Sequence, residues 1–465
     1  VISGYPDGSF KGAQPSTRYE VASVIARGLA KIDLEKASKQ DVEMLKKLIV
    51  EFKDELDALG VKVDKIDERV AVLEKDLGGW FFSGELRFDA RFTGEGDGRA
   101  QGWYGDELGQ VAGKNEFDLN RYRLYINKRI DENTTFTARL VAGGSNNGNR
   151  PIEWELYYVT TKLPYDVTFT AGLQELDLES DLGLYADEDA WFGDNTLNAL
   201  TFSKSWGMAD FLISVGRIND DQWDSALNNQ AGATVDNVEG FLAAANVNLN
   251  FNEKIRAGLL GYWLIPDKEY TDSTGADVTD SDLSTYGAYA GFKFTPDIEL
   301  KAIYYWQSQG TSRPTYVPYE DSANAWKAML EVGQDTLKFT SLWLEYGQLD
   351  NNFERLGGAN PYSPYGAELL ANQPVNLNTT KIIAAFATQE WSDKWRTFER
   401  FVRADFDTTG FDNATNWTFG VGYRYSPAID FELSYDNIDY GTNTDPNAAR
   451  QDDDHQINFR TYISF

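Results

Sequence analysis

The chain has 465 residues with no Cys, a single His and a formal net charge of −30. Zero Cys removes disulfides, thiolate metal sites and a Cys nucleophile. With His455 alone there is no multi-His zinc site, and Ser-His catalysis would rest on one residue in an Asp-rich loop, so an enzyme is disfavoured. The negative charge argues against a nucleic-acid partner, which needs clustered Lys and Arg.

Aromatic residues make up 14% of the chain while mean hydropathy is only −0.47, so the apolar residues are interleaved with polar ones. No run of about 18 apolar residues exists, which excludes a transmembrane helix. A transmembrane barrel stays open, because its alternating strands average out in hydropathy. The charge is also unevenly placed. Residues 1–79 hold 13 basic and 15 acidic residues, leaving 30 and 58 for the remainder, a balance of −28. The chain opens on Val1 in mid-motif, so it is expected to be processed or partly missing at its N-terminus.

Residues 1–32 form a first unit of turn, loop and helix. Tyr5-Pro6-Asp7-Gly8 is a turn in which Pro presets φ and Gly is free to take positive φ. Thr17 with Glu20 three residues later makes a capping box, and Val21, Val24, Ile25 and Leu29 line one helix face. The unit is too short to bury a core alone. The run Gly4-Tyr5-Pro6-Asp7-Gly8-Ser9-Phe10, followed by Thr17-Arg18-Tyr19-Glu20, resembles the second half of an S-layer homology (SLH) module. Tyr19 departs from the Ala usual at that place. The resemblance implies binding to peptidoglycan or a secondary cell-wall polymer, carried by Asp7, Thr17 and Arg18. The reading from the residues alone is that Asp7 and Arg18 hold turn and helix together.

Residues 33–79 form a stem. Val42, Leu45, Ile49, Phe52, Leu56, Leu59, Val63, Ile66, Val70, Leu73 and Leu77 recur at alternating steps of three and four. A repeat averaging 3.5 residues stays on one side of a helix only if partner helices wind left-handed around it. The seam is therefore a coiled coil about 54 Å long. The mixture at its a and d positions does not choose between two strands and three. A helix lying on a globular body is the alternative, but such a face is usually wider. Gly60 costs the stem about 1 kcal/mol relative to Ala.

After Gly78-Gly79 the period switches to 2. Trp80, Phe82, Leu86, Phe88, Ala90 and Phe92 share one face, and Ser83, Glu85, Arg87, Asp89 and Arg91 the other. Lipid outside and water inside satisfy both faces. The pattern recurs as eight hairpins turning near 131–133, 164–165, 205–207, 252–253, 296–297, 334–335, 392–393 and 426–427. Longer Asp-, Asn- and Gly-rich stretches such as 94–115, 175–195, 218–236, 266–282, 349–378 and 440–454 separate them. A first strand and a terminal one ending in Ile457, Phe459, Thr461, Ile463 and Phe465 bring the count to 18, or 16 if two weak strands fall away. The fold class is mainly β, with residues 80–465 a large antiparallel transmembrane β-barrel whose lumen is too wide to fill with side chains.

Strand parity points Arg87, Arg91, Arg121, Arg123, Arg129 and Arg139 inward as a basic wall. Glu175, Asp177, Glu179, Asp181, Asp187, Glu188 and Asp189 alternate with Leu176, Leu178, Leu182, Leu184, Trp191 and Phe192. A loop with so many large apolar residues is expected to fold into the barrel and form a constriction opposite the Arg wall; a solvated, cation-binding surface loop is the alternative. Asp452, Asp453 and Asp454 are weak metal candidates, since their spacing matches no Ca2+ loop with a fixed turn Gly. A solvated acidic loop is the reading there. No catalytic residue and no cofactor is assigned, apart from Ca2+ as a candidate in the acidic loops.

The order of half-module, stem and barrel resembles the SLH-porin family, the OmpM-type proteins of diderm bacteria. The resemblance implies an outer-membrane homotrimer with a periplasmic stalk. It also implies two roles: diffusion of small hydrophilic solutes, and attachment of the outer membrane to peptidoglycan. The rivals are a structural tether or surface-layer protein with a plugged barrel, and an outer-membrane hydrolase using His455.

Overall fold

The computed structural model describes residues 21, 79–94, 115–142, 152–187, 190–218, 240–266, 282–309, 322–350, 353, 361–362, 364–365, 369, 379–407, 412–441 and 453–465. The chain divides into two compact units, Val1–Phe81 and Phe82–Phe465. Asp7, Thr17 and Arg18, and the whole heptad seam from Val42 to Leu77, lie outside the described residues, as do Glu188, Asp189 and Asp452.

Strand β1 (Trp80–Thr93) is followed by eight hairpins. These are β2 (Asn115–Arg129) with β3 (Thr134–Ala142), β4 (Glu153–Leu163) with β5 (Val167–Leu176), β6 (Asn195–Trp206) with β7 (Ala209–Ile218), and β8 (Gly240–Asn250) with β9 (Ile255–Pro266). Then come β10 (Leu283–Thr295) with β11 (Ile298–Gln309), β12 (Ser322–Val332) with β13 (Ser341–Asp350), β14 (Thr379–Glu390) with β15 (Trp395–Phe406), and β16 (Ala414–Ser426) with β17 (Ile429–Asp439). Strand β18 (Asp454–Ser464) closes the ring by pairing antiparallel with β1, from Glu85↔Ser464 to Thr93↔Gln456. All 18 strands join one sheet, so none is left as an edge. Closure satisfies the ladder without water, which is what a spanning structure requires.

Turn chemistry sets the hairpins. Asp131 Oδ1 accepts the N–H groups of Asn133 and Thr134, both at 2.8 Å. Asn252 Oδ1 accepts those of Lys254 and Ile255 at 2.8 and 3.0 Å. Ser392 Oγ does the same for Lys394 and Trp395 at 3.2 Å. A short polar side chain that opens a turn by holding the next N–H groups is the common device. The two N–H donors hold the Asp131 carboxyl below the usual carboxylate range. At Tyr165 and Asp166 both φ values are positive (64° and 58°), the backbone of a type I′ hairpin turn.

The outer face is apolar and uncovered. On β9 Leu259 is 61% exposed while its neighbour Leu260 is 4%. Trp206, Trp391, Trp395 and Tyr425 stand exposed near the short turns, as interfacial aromatics do in outer-membrane barrels. His455 is on this outer face too, its ring 6.1 Å from that of Tyr435.

One face assignment changes. Alternation alone places Trp154, Leu156 and Tyr158 together. The pairing of β3 with β4 instead shifts between Arg139↔Leu156 and Leu140↔Trp154, a bulge that gives β4 one extra residue, Glu155. The outward side chains become Trp154 and Tyr157, whose rings meet edge to face at 6.5 Å, and Leu156 is buried. An extra residue inverts parity downstream, and no periodicity argument can see it.

The hydrophobic core sits inside the barrel. Leu176, Leu178, Leu182, Leu184, Trp191 and Phe192 pack with Leu242, Leu260, Tyr262, Leu264, Tyr305 and Met329 from the lumenal faces of β8, β9, β11 and β12.

Candidate pore and its constriction

The segment between β5 and β6 folds into the lumen. It opens with a four-residue helix, α1 (Leu178–Asp181), capped by Asp177, whose Oδ1 accepts the Ser180 N–H at 2.9 Å. Its leucines, with Trp191 and Phe192, are buried against one wall, where burial of each large apolar side chain contributes about 1.5–3 kcal/mol. Gly347 on β13 makes room for this: a Cβ there would lie 2.2 Å from the Trp191 ring.

Polar groups lock the segment in place. Glu179, 1% exposed, accepts hydrogen bonds from the Tyr305 hydroxyl and the Lys327 Nζ, each at 2.6 Å, and from the Trp191 N–H at 3.2 Å. The Lys327 ammonium also stands 5.1 Å over the Trp191 ring. Asp187 takes both Nε (2.8 Å) and Nη2 of Arg400, whose Nη1 donates to Thr418 (2.8 Å) and Asn416 (3.2 Å).

A second stretch, between β13 and β14, meets the first. Trp191 Nε1 donates to the Tyr362 hydroxyl at 2.5 Å, and Tyr362 donates to Glu345, which also accepts from Trp343 Nε1 at 3.1 Å. Tyr365 donates to Glu432 at 2.8 Å, and the Arg460 guanidinium lies 5.1 Å over its ring.

The acidic residues of the first segment thus divide. Glu179 and Asp187 pair with Lys327 and Arg400 on β12 and β15. Glu175 and Asp181 stay exposed on the opposite side, and Glu175 reaches Arg139 at 3.5 Å. Burial pushes the Asp177 carboxyl up to about 6, with Glu179 and Asp181 adding to it, while the Ser180 N–H and Tyr185 hydroxyl favour the anion. Partial desolvation beside the barrel wall and the charge of Glu175 raise Asp181 as well, although its side chain keeps an exposed edge.

The Arg wall is itself interleaved with acid. Arg121 lies 3.8 Å and Arg123 3.5 Å from Glu85; Arg123 lies 3.1 Å from Glu155; Glu155 contacts Arg139; Arg139 meets Glu175. Three guanidiniums alternate with three carboxylates from β1 to β5, so this run is balanced rather than basic. Its members keep water contact: the Glu85, Arg121 and Arg123 side chains are 34%, 22% and 15% exposed, against 0% for Lys327. Arg129 lies at the turn end, its Nε donating to the Asp131 carbonyl at 3.2 Å. Arg87 and Arg91 flank Asp89 on the lumenal face of β1, and Asp89 is held by Arg460 at 2.7 and 2.9 Å.

Lys327, Arg400, Tyr305 and Glu345 escaped sequence reasoning. The available signal was a lone charge in an inward row of small or apolar residues, as in Ala323, Ala325, Lys327 and Met329. Among the described residues no cluster of three or more His or acidic side chains is arranged to hold a metal, and Asp453 and Asp454 belong to no such group.

No family's sequence profile matches the chain. Parts of it are similar to outer membrane protein SlpA of Thermus thermophilus (34% identity over 85 residues, 16% of this chain and 9% of that protein). Another relative is SlpA of Deinococcus radiodurans (44% over 71 residues, 14% and 6%). An uncharacterized Nostoc protein, alr4550, shares 28% over 151 residues, 31% of this chain and 24% of that one. The chain spans about a quarter or less of the length of these relatives. Among solved structures the fold matches OccK3 of Pseudomonas aeruginosa with a TM-score of 0.52 at 8% identity, covering 84% of this chain and 97% of that one. It also matches the outer membrane protein opdK of the same organism, with a TM-score of 0.52 at 9% identity and coverage of 83% and 98%. Residues 80–465 are an outer-membrane β-barrel of porin-like fold.

Proposed function

We propose that the barrel is a diffusion channel for small hydrophilic solutes and ions. The observation that carries this is the charge-balanced run from Glu85 to Glu175, whose side chains keep 11–49% exposure while Lys327 and Glu179, where the inner segment docks, keep 0% and 1%. Alternating charges on one side of a narrow passage let polar solutes exchange water for protein contacts without trapping either sign. Passage needs neither metal nor nucleophile, and His455 on the lipid-facing side is badly placed to serve as a lumenal base.

The same reading extends to the N-terminal residues. The resemblance to an SLH half-module and the heptad seam support a trimeric stalk that binds peptidoglycan. A plugged structural barrel is the second reading, favoured by the buried inner segments. Planar-bilayer recording decides: open single-channel steps are expected, and a silent, folded barrel would establish the plug. Removing residues 1–79 should keep the steps and abolish peptidoglycan pull-down; retained pull-down would refute the tether.

A further inference from the structure

One sector of the outer face breaks the apolar rule. On β8–β11 the outward side chains, among them Phe241, Leu259, Phe292, Leu300, Tyr304 and Trp306, include no charge. On β15 the outward positions are Trp395, Thr397, Glu399, Phe401, Arg403 and Asp405, three of them charged. Burial fixes the parity: Phe401 is exposed and paired across to exposed Trp417, while Arg400 and Val402 on either side of it are buried toward the lumen.

Glu399 is not at a strand end. It lies two outward positions in from Trp395 at the short turn, and its pairing row runs Leu342, Ala387, Glu399, Phe419, apolar on both sides. Its carboxylate accepts from Gln389 Nε2 at 2.8 Å, and Gln389 also reaches Thr340 at 2.9 Å. Arg403 and Asp405 are 3.5 Å apart with side chains 39% and 43% exposed, and Lys381 on β14 is directly opposite Asp405. Such bonds within the chain still leave charge facing hydrocarbon, which destabilises a barrel by an amount that grows with depth. A protein neighbour removes that cost by putting hydrogen-bonding groups where lipid would be. There is room for one, since the outward residues of β14 beside Phe401 and Glu399 are Ala385 and Ala387, and small residues let two membrane surfaces approach closely.

The pattern of charge points to a second copy as that neighbour. Copies of one chain in one membrane share orientation and depth, so a stripe beside a cyclic axis faces its own counterpart. This stripe is self-complementary. Arg403 and Asp405 are successive outward positions, so the guanidinium of one copy meets the carboxylate of the next. Gln389 and Glu399 repeat the donor and acceptor nearer the turn. We propose that the outer faces of β14 and β15 line the axis at which copies of this chain pack barrel against barrel, covering Glu399, Arg403 and Asp405. It rests on the trimer reading above and adds to it the face by which the barrels meet.

The test puts the photo-cross-linking residue p-benzoylphenylalanine into the full chain, in place of Phe401 in one variant and of Leu259 on the charge-free side in another. Each is irradiated in outer membranes and again after purification in detergent. Covalent dimers of this chain are expected from position 401 and none from position 259. In folded barrels Arg403→Asp should remove the dimer, because like charges then converge, and adding Asp405→Arg should restore it by exchanging the two signs. An oligomeric chain that gives no dimer from 401, equal dimers from 259, or a folded double variant that regains none would overturn the contact while leaving association through the N-terminal residues standing. A full chain that light scattering finds monomeric would overturn both. Adducts from 401 with lipid or a different protein alone would give the stripe to that partner and overturn the proposal.

Discussion

Two walls of one lumen obey the same alternation and end in opposite states. On β12 and β15 two inward charges, Lys327 and Arg400, are dry and paired to an inner segment; on β2–β5 the charges are partly exposed and paired to one another. The difference lies in the company each charge keeps. Lys327 shares its inward row with Ala323, Ala325 and Met329, a shallow apolar floor on which Leu178, Trp191 and Phe192 can settle. Arg121, Arg123 and Arg139 stand close enough together, with Glu85 and Glu155 between them, to fill their wall and leave no apolar floor to cover. Small residues beside an isolated charge invite a plug, and a dense charge relay repels one.

Breaking the dry side should have the largest effect. In Lys327→Ala the buried Glu179 carboxylate loses its cation, a change that costs about 3–5 kcal/mol for such pairs. The inner segment should release, and single-channel conductance should rise with loss of thermal stability. Replacing both partners, Lys327→Met with Glu179→Gln, should restore much of the closed state, because no uncompensated charge is left behind. An unchanged conductance in Lys327→Ala would mean that the ion pair is not what holds the inner segment against β12.

A smaller effect separates the walls by pH. The Asp177 carboxyl titrates near 6 in the folded segment and near its ordinary value of about 4 when released, so the closed form binds the proton more tightly. Its contribution to closure is full below about pH 4 and is lost as pH rises through about 6. Recordings at pH 5 should therefore show longer closed dwell times than recordings at pH 7.5. Asp177→Asn should flatten that dependence and leave the relay on β2–β5 untouched. A pH response that survives Asp177→Asn would place the titrating group elsewhere.

The barrel was legible in the sequence because its strands repeat one two-residue rule and its eight turns carry their own chemistry, as at Asp131, Asn252 and Ser392. The terminal alternation from Ile457 to Phe465 likewise fixed the closing strand. The entry of the acidic segment into the lumen followed from Leu178, Leu182, Leu184, Trp191 and Phe192. Its docking wall did not, because pairing Glu179 with Lys327 spans 148 residues and depends on barrel curvature rather than on local pattern. The bulge at Glu155 was equally invisible, and it is what places a carboxylate between Arg123 and Arg139.

The wet side responds in selectivity rather than in stability. Arg123→Gln removes the cation that Glu85 and Glu155 share, leaving the relay with two guanidiniums and three carboxylates. Arg123 and Glu155 keep 15% and 16% exposure against 0% and 1% for Lys327 and Glu179, so the unfolding midpoint should move less than in Lys327→Ala. The run goes from balanced to one negative charge in excess, however, and the reversal potential in a salt gradient should shift toward cation preference. Glu155→Gln should shift it toward anions by the converse argument. If both variants kept the parental reversal potential while Lys327→Ala altered conductance, permeating ions would have to pass along the plugged wall, and the assignment of the two walls would be inverted.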